Sequence, residues 1–509
     1  MTQTRKSSII ALIMLATMCG LLLGSILNES AIVDELAHIP AGYSYAVLFD
    51  YRLNPEHPPL LKSISGAFVY IFTNAHFPTD IASWKSEING QWGMGYSFLY
   101  EHGNNADDII FMSRIPIVLL AIYFGWLLYH WIGKRFGMPT ALLTLAFFSL
   151  SPTMLAHSRY VTTDLGASFG FFIGIATFIK LIERLTARNA IIAGLCFAIA
   201  QLLKFSLVLL VPMYGLMFII WIISMHNKNK KEWLCQTWML LKKIILMLFV
   251  ALLIIWAVYG LFTYNYPPER QLNDATYILT SYGFRPAVKL DLWLIRHPLT
   301  RPLGQYFLGV LMVQQRAAGG NTAYFLGEVS AAGSRLYFPL LYLVKEPLPV
   351  HLFSLIALIY AAGQFRSWIK RRRQATVTTA RAWHEIIRHY FVEWSCVIMI
   401  AVYWAVSMKS PLNIGIRHVL PTFPFIYILI ARGTVSWIRN SLAPLQTEWA
   451  PVPTGWKEIR NMLAIIYKAT PRYALIALLL FWLVTGTLTT TPAFLSFYNE
   501  LAGNTPEGW

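Results

Sequence analysis

Along this chain apolar residues come in long unbroken runs, without the alternation of half-buried strands or the one-sided stripe of surface helices. The runs lie at approximately 9–27, 109–132, 139–156, 165–183, 190–203, 205–224, 244–263, 337–361, 390–408, 417–432 and 473–491. Several reach the roughly 20 residues a helix needs to cross the hydrocarbon core of a bilayer. They predict an all-α polytopic membrane protein with about 11 crossings, amino terminus inside and carboxyl terminus outside. Lys204 is expected at the outer surface, between the closely spaced runs 190–203 and 205–224. Met1–Ser8 carries Arg5 and Lys6 ahead of the first run, and no clear small-x-small site follows, so that run reads as an uncleaved span.

Polar sequence lies mainly in the connections, with Lys180 an exception inside a run. Two external ones are long, 28–108 and 264–336, and loops of that length are uncommon unless functional. They are the first and fourth on the outer side, and both are expected to hold interfacial helices. In the first, Tyr43, Tyr45, Phe49 and Tyr51 mix with polar residues in a way that suits the headgroup region. In the second, Gly319-Gly320 and Gly327 mark tight turns, and the loop reads as a mobile cover. The whole of 1–509 reads as one transmembrane domain. No internal repeat supports an inverted-repeat transporter.

Composition agrees: 56% of the 509 residues are hydrophobic and 13% charged, with a mean hydropathy of +0.52, too apolar for a soluble domain. The net charge of +17 would suit a nucleic-acid partner if it formed one patch. Instead, segments assigned inside hold about 24 Lys and Arg against about 6 Asp and Glu, and those outside about 16 against about 18. Lys228, Lys230, Lys231 and the Lys370–Arg373 run therefore read as orientation signals, and no nucleic-acid partner is expected. Cys19, Cys196 and Cys396 fall within spans and Cys235 in a cytoplasmic loop, which argues against a disulfide framework.

Candidate chemistry gathers outside. The stretch VDELAHIPAGYSYAVLFDYRLNPEHPPLL packs Asp34, Glu35, His38, Asp50, Arg52, Glu56 and His57 into one loop. Adjacent carboxylates can be no more than a solvated helix end. Here His38 lies one helical turn from Asp34, and Glu56-His57 shares the loop. Glycosyl transfer to a hydroxyl needs a carboxylate to take the acceptor's proton and positive charge to stabilise a departing phosphate. The short turn His157-Ser158-Arg159-Tyr160-Val161-Thr162-Thr163-Asp164 pins Arg159 and Asp164 beside the membrane. Lys345-Glu346-Pro347 and Arg417-His418 border spans, where an unpaired ion costs a few kcal/mol and function is a fair default. Snorkelling is the bland alternative for Lys345. Arg417 suits phosphate, since a guanidinium can bind it with two hydrogen bonds. His38, His57, His157 and His418 could ligate a divalent metal.

The ordered set DE-x-x-H-x-x-x-GY, EHPPLLK, HSRYVTTDL, LLKFS, GGNTAYFLGE, YFP-x-x-x-x-x-KEPLP, NIGIRHVLP and FYNELAG resembles the protein O-mannosyltransferase-like family. This is glycosyltransferase family 39 of the GT-C membrane-fold superfamily, and the similarity runs through nearly the whole chain. The resemblance implies a GT-C fold and transfer of a sugar, with inversion, from a polyprenyl- or dolichyl-phosphate carrier on the extracytoplasmic face. It puts the catalytic Asp at Asp34, with Glu35 beside it, and the second outer-loop acid at Asp164. Glu56 and His57 fall where related aminoarabinose transferases place groups near a metal. Arg159, Lys345 and Arg417, with His418, fall in segments near the donor phosphate. The long second loop carries no MIR-type β-trefoil insertion.

The sequence thus reads as an integral glycosyltransferase of the plasma (inner) membrane, or of the endoplasmic reticulum in a eukaryote. A lipid-phosphate-linked sugar is its co-substrate, a protein Ser/Thr hydroxyl or a glycolipid its acceptor, and a divalent ion an optional cofactor. The competing readings are a flippase that moves the lipid-linked sugar without chemistry, and an inactive partner subunit. Acids and histidines gathered on one face favour the enzyme.

Overall fold

The computed structural model describes residues 3–27, 29–225, 229–373, 384, 386–447 and 456–503. Lys228 lies outside them. The described chain is nearly all helical. Helix α1 (Gln3–Ile26) leads into the first long loop, which holds α2 (Val33–Tyr43), α3 (Leu60–Phe72), α4 (Ala82–Lys85) and α5 (Gln91–Tyr96). Next come α6 (Ala106–Phe136), α7 (Met138–Leu150), α8 (Pro152–His157), α9 (Asp164–Glu183), α10 (Ala187–Leu203), α11 (Leu210–Ser224) and α12 (Lys230–Phe262). The second long loop folds into α13 (Pro268–Ile278), α14 (Arg285–Arg296) and α15 (Arg301–Gly319). A hairpin of β1 (Ala323–Phe325) and β2 (Glu328–Ser330) follows. The chain continues through α16 (Tyr337–Lys345), α17 (Leu348–Arg373), α18 (Phe391–Lys409), α19 (Phe423–Thr447) and α20 (Trp456–Thr490).

Among the described residues, eight helices are long and apolar enough to cross a membrane. The expectation of about 11 crossings counted runs that the backbone divides or shortens. Helices α7 and α10 have 13 and 17 residues, and 13 residues rise only about 20 Å. The run 139–156 is cut at Ser151-Pro152, where the Ser151 hydroxyl accepts from the Met154 N–H at 3.2 Å and caps α8. The run 337–361 is cut at Pro347, which has no N–H for the Leu343 carbonyl and holds Glu346 extended (ψ 143). The run 417–432 opens as two 3-10 turns, Ile416–His418 and Leu420–Thr422, before α19. Cys235 lies inside α12 rather than in a loop, and all four cysteines are free.

A large apolar core joins the long helices, while Ile13, Leu252 and Phe481 are among many large apolar side chains left exposed. Exposed apolar surface on that scale belongs in lipid, and the chain is an integral membrane protein. A separate cluster of Ala275, Leu279, Val288, Ile295, Leu308 and Leu311 holds α13, α14 and α15 together. In the first loop, a Cβ on Gly42 would overlap the Lys62 carbonyl, one on Gly66 the Gly42 carbonyl, and one on Gly95 the Leu36 carbonyl. Helix α2 is therefore seated against α3 and α5 backbone to backbone.

Candidate active site

The site begins at the first turn of α2. The Glu35 carboxylate turns back to accept from the Ile32 N–H at 3.0 Å, half of a capping box. It also accepts from Arg114 Nε and Nη2 of α6 at 2.9 and 2.6 Å and from the Val161 N–H at 2.9 Å. Arg114, wholly buried, donates further to the Glu29 and Ser30 carbonyls at 3.1 and 2.9 Å. The start of α2 is thereby tied to the 157–164 turn, and Asp34 is left with its carboxylate on a cavity.

That cavity has a volume of about 570 Å³. Its polar lining includes Asp34, His157, Tyr160, Thr162, Lys345 and Arg417, and its apolar lining includes Leu326, Leu340, Leu341, Val344, Phe494 and Leu495. Gly415, at φ 93, bends the chain into the turn that carries Arg417, and its N–H donates to the Tyr337 hydroxyl at 3.0 Å. Arg417 Nη1 pairs with Asp34 and stands 4.0 Å from an oxygen of Asp164 at the start of α9. On its other side Asp164 accepts from Lys204 Nζ at 2.6 Å. Two carboxylates and two cations thus alternate from Asp34 and Arg417 on the cavity to Asp164 and Lys204 behind them. Desolvation works against the Arg417 charge, but Asp164 and Asp34 outweigh it and hold the guanidinium protonated.

Lys345 is different. Its ammonium lies 3.5 Å from the centroid of the Tyr498 ring and donates to the Leu495 carbonyl at 3.2 Å. It has no carboxylate partner among the described residues. Burial pushes it down to about 8. His157 is pushed down to about 4 by burial; Asp164 opposes that shift, and Arg417, Lys345 and Lys204 add to it. It is a neutral imidazole on the cavity wall at physiological pH.

Of the residues the sequence marks, the structure brings Asp34, His157, Lys345 and Arg417 to one cavity, with Asp164 directly behind Arg417. The others lie elsewhere. Glu35 is committed to Arg114. Arg159 is buried, donating to the Ser25 carbonyl at 2.6 Å and the Tyr160 hydroxyl at 2.7 Å, and pairs with Glu29 at 3.0 Å. His38 bonds the Val161 carbonyl through Nδ1 at 2.8 Å and meets His57 edge-on, with ring centroids 4.8 Å apart. Burial pushes His38 down to about 3 and His57 well below the ordinary range. Glu56 accepts from the Gln91 and Asn89 amides at 2.7 and 3.3 Å. His418 stacks on Phe338 with centroids 5.3 Å apart. Sequence reasoning left out Arg114, Lys204, Tyr337 and Tyr498. Lys204, Tyr337 and Tyr498 do lie in the motifs LLKFS, YFP-x-x-x-x-x-KEPLP and FYNELAG, whereas Arg114 lies in none of them.

The donor set does not fit a divalent metal. Among the described residues no three His, Cys, Asp or Glu side chains converge as an ion would require. The Asp34 and Asp164 carboxylates already hold Arg417 and Lys204, and Glu56 is bound by two amides.

Residues 105–256 match the family model described as dolichyl-phosphate-mannose-protein mannosyltransferase. The fold is similar to the archaeal oligosaccharyltransferase AglB from Archaeoglobus fulgidus, solved with an inhibitory peptide and a dolichol-phosphate (TM-score 0.49, 12% identity). That match covers 95% of this chain, which spans only 56% of the length of the AglB chain. It is similar also to ArnT from Cupriavidus metallidurans bound to undecaprenyl phosphate (TM-score 0.47, 11% identity), covering 95% of this chain and 78% of that one. No curated protein matches the sequence.

Proposed function

We propose that this chain, which matches the mannosyltransferase family model over 105–256, is a membrane glycosyltransferase. It moves a sugar from a polyprenyl- or dolichyl-phosphate carrier to an extracytoplasmic acceptor, a protein hydroxyl or a glycolipid, with inversion. The observation that carries the reading is a single cavity with a carboxylate, cations and an apolar wall side by side. A lipid-linked sugar phosphate has the same three parts: a hydroxyl-bearing sugar, an anion and a hydrocarbon tail.

The chemistry follows from the charges. Without a phosphate, Arg417 is neutralised by Asp34 and Asp164. An entering phosphodiester draws Arg417 and Lys345 toward itself, and the Asp34 carboxylate is freed to accept a hydrogen bond from the acceptor hydroxyl. The acceptor oxygen then attacks the anomeric carbon from the face opposite the phosphate. Its proton passes to Asp34, the anomeric carbon–oxygen bond breaks, and the polyprenyl phosphate leaves with the bonding electrons. Arg417 and Lys345 stabilise the charge that grows on it. Lys204 keeps Asp164 in place behind Arg417.

Exchanging Asp34 for Asn keeps the side chain's shape and removes the proton acceptor. Asp34→Asn is expected to lower transfer from a labelled lipid-linked sugar pool roughly a hundredfold or more, with folding and membrane insertion unchanged. Product formation near the wild-type rate would sink the assignment. A vesicle flux assay run beside it separates the enzyme from a flippase, since only the latter moves the lipid without making product.

A further inference from the structure

The segment that follows α20 carries a role in the site. Proline at 347 deprives the Leu343 carbonyl of its helical donor, and the break between α16 and α17 leaves the Val344 and Glu346 carbonyls unpaired as well. One residue from the far end of the chain reaches all three, sharing the Leu343 carbonyl with His351 Nε2 at 3.0 Å. The Asn499 side-chain amide donates to the Leu343 and Glu346 carbonyls, each at 2.7 Å, and its backbone N–H donates to the Val344 carbonyl at 2.9 Å. Asn499 is fully buried, and its Oδ1 accepts from the Leu501 N–H at 3.0 Å, which closes the turn Glu500–Ala502. The strap 491–503 is thus docked on the broken helix by hydrogen bonds that the break itself creates.

This docking sets Tyr498 beside Lys345. Phe494, Leu495 and Tyr498 all line the cavity, so the strap is one of its walls. Among the described residues the strap supplies the two contacts of the Lys345 ammonium, the Tyr498 ring and the Leu495 carbonyl. A π face and one carbonyl keep an ammonium charged and oriented without neutralising it, whereas a carboxylate would cancel it. Arg417 and Lys204, by contrast, are each held by acids. The arrangement leaves Lys345 as uncompensated positive charge at the border between the polar and apolar ends.

We propose that Tyr498 is a positioning residue: through its ring it holds Lys345 ready for the phosphate of the lipid carrier, and the strap is part of the carrier site. The inference rests on the reading of Lys345 as a phosphate ligand, and the experiment separates the two. The full chain is purified in detergent, and equilibrium binding of a short-chain polyprenyl monophosphate is measured for wild type, Tyr498→Phe, Tyr498→Leu, Lys345→Met and the double variant Tyr498→Leu/Lys345→Met.

Loss of the ring is expected to weaken binding on the order of tenfold, while Tyr498→Phe, which keeps a π face, stays within about twofold of wild type. The double variant is expected to bind no more weakly than Lys345→Met alone, because a residue that acts through Lys345 has nothing left to position. A merely structural strap would give losses that add. Additive losses, or wild-type binding by Tyr498→Leu beside a weakened Lys345→Met, would overturn the role of Tyr498 and leave the phosphate ligand standing. Wild-type binding by Lys345→Met would overturn both. If Tyr498→Leu does not fold, Tyr498→Met, flexible and without a ring, takes its place in the same cycle.

Discussion

At the scale of single residues, two ion pairs of different kinds stand in line, one on the polar end of the cavity and one behind it. Asp34 and Arg417 have side chains 31% and 27% exposed, so water screens them and the pair can open for a ligand at little cost. Asp164 and Lys204 are drier, at 6% and 15%, and a pair like that resists opening because each ion would be left unpaired and poorly hydrated. The mobile member of the set is therefore Arg417–Asp34, the pair the proposed reaction opens. Lys345 gives this chemistry a pH limit. Burial brings its ammonium from 10.5 to about 8, so the charge is present below that value and is lost as pH rises through it. Binding of a polyprenyl monophosphate is expected to fall about tenfold per unit above pH 8 wherever Lys345 dominates the contact. His157, already neutral above about 4, cannot produce such a limb. In Lys345→Arg the guanidinium stays protonated throughout and the limb should vanish. A titration of binding affinity from pH 6 to 10 checks it, and a limb unchanged in Lys345→Arg would assign the effect to another group.

At the scale of elements, the first loop works as a rigid mount. Helices α2, α3 and α5 touch through glycine, and Glu35 with Arg114 ties the front of α2 to the turn that precedes Asp164. A methyl group at position 66 has no room, because it would meet the backbone of Gly42 and Tyr43 rather than a side chain that could swing aside. Gly66→Ala is expected to cost on the order of 1–3 kcal/mol of stability, to lower the unfolding temperature in detergent, and to reduce transfer by tilting α2. Gly20→Ala in α1, where nothing stands within 4 Å of the added carbon, is the matched control. Equal melting temperatures for the two would show that α2 is not seated as described. The same elements explain what could be read from sequence. Asp34, Asp164, Arg417 and Lys345 announce themselves as charges at the edges of apolar runs, and charges there need a reason. Glu35, Arg159, His38 and His57 carry the same signature, yet they turn inward to satisfy backbone groups and one another. Which side of a helix a side chain leaves from is set by packing, and neighbouring positions in sequence do not reveal it. The helix break at Pro347 was legible in principle. Its partner was not, because Asn499 meets it from 153 residues away.

At the scale of the whole molecule, the arrangement makes sense only with a membrane around it. The long helices present apolar side chains outward along much of their length, and the cavity joins charged groups to Leu340, Leu341 and Val344 on one short helix. A carrier lipid can then keep its tail in hydrocarbon while its phosphate reaches Arg417 and Lys345, without paying to bring the tail into water. That requires the charged end of the cavity to face one side of the bilayer, and the lysines decide which. Lys230, Lys231, Lys242 and Lys243 cluster in the first half of α12, whereas the cavity's loops follow its other end. The positive-inside rule predicts a cytoplasmic basic half and an external hairpin Ala323–Ser330 beside the cavity. In a chain whose four cysteines are replaced, an impermeant maleimide added to intact cells is expected to label Glu328→Cys, at an exposed hairpin position. Lys230→Cys should react only after the membrane is opened. The reverse pattern would turn the cavity toward the cytoplasm and leave an extracytoplasmic acceptor out of Asp34's reach.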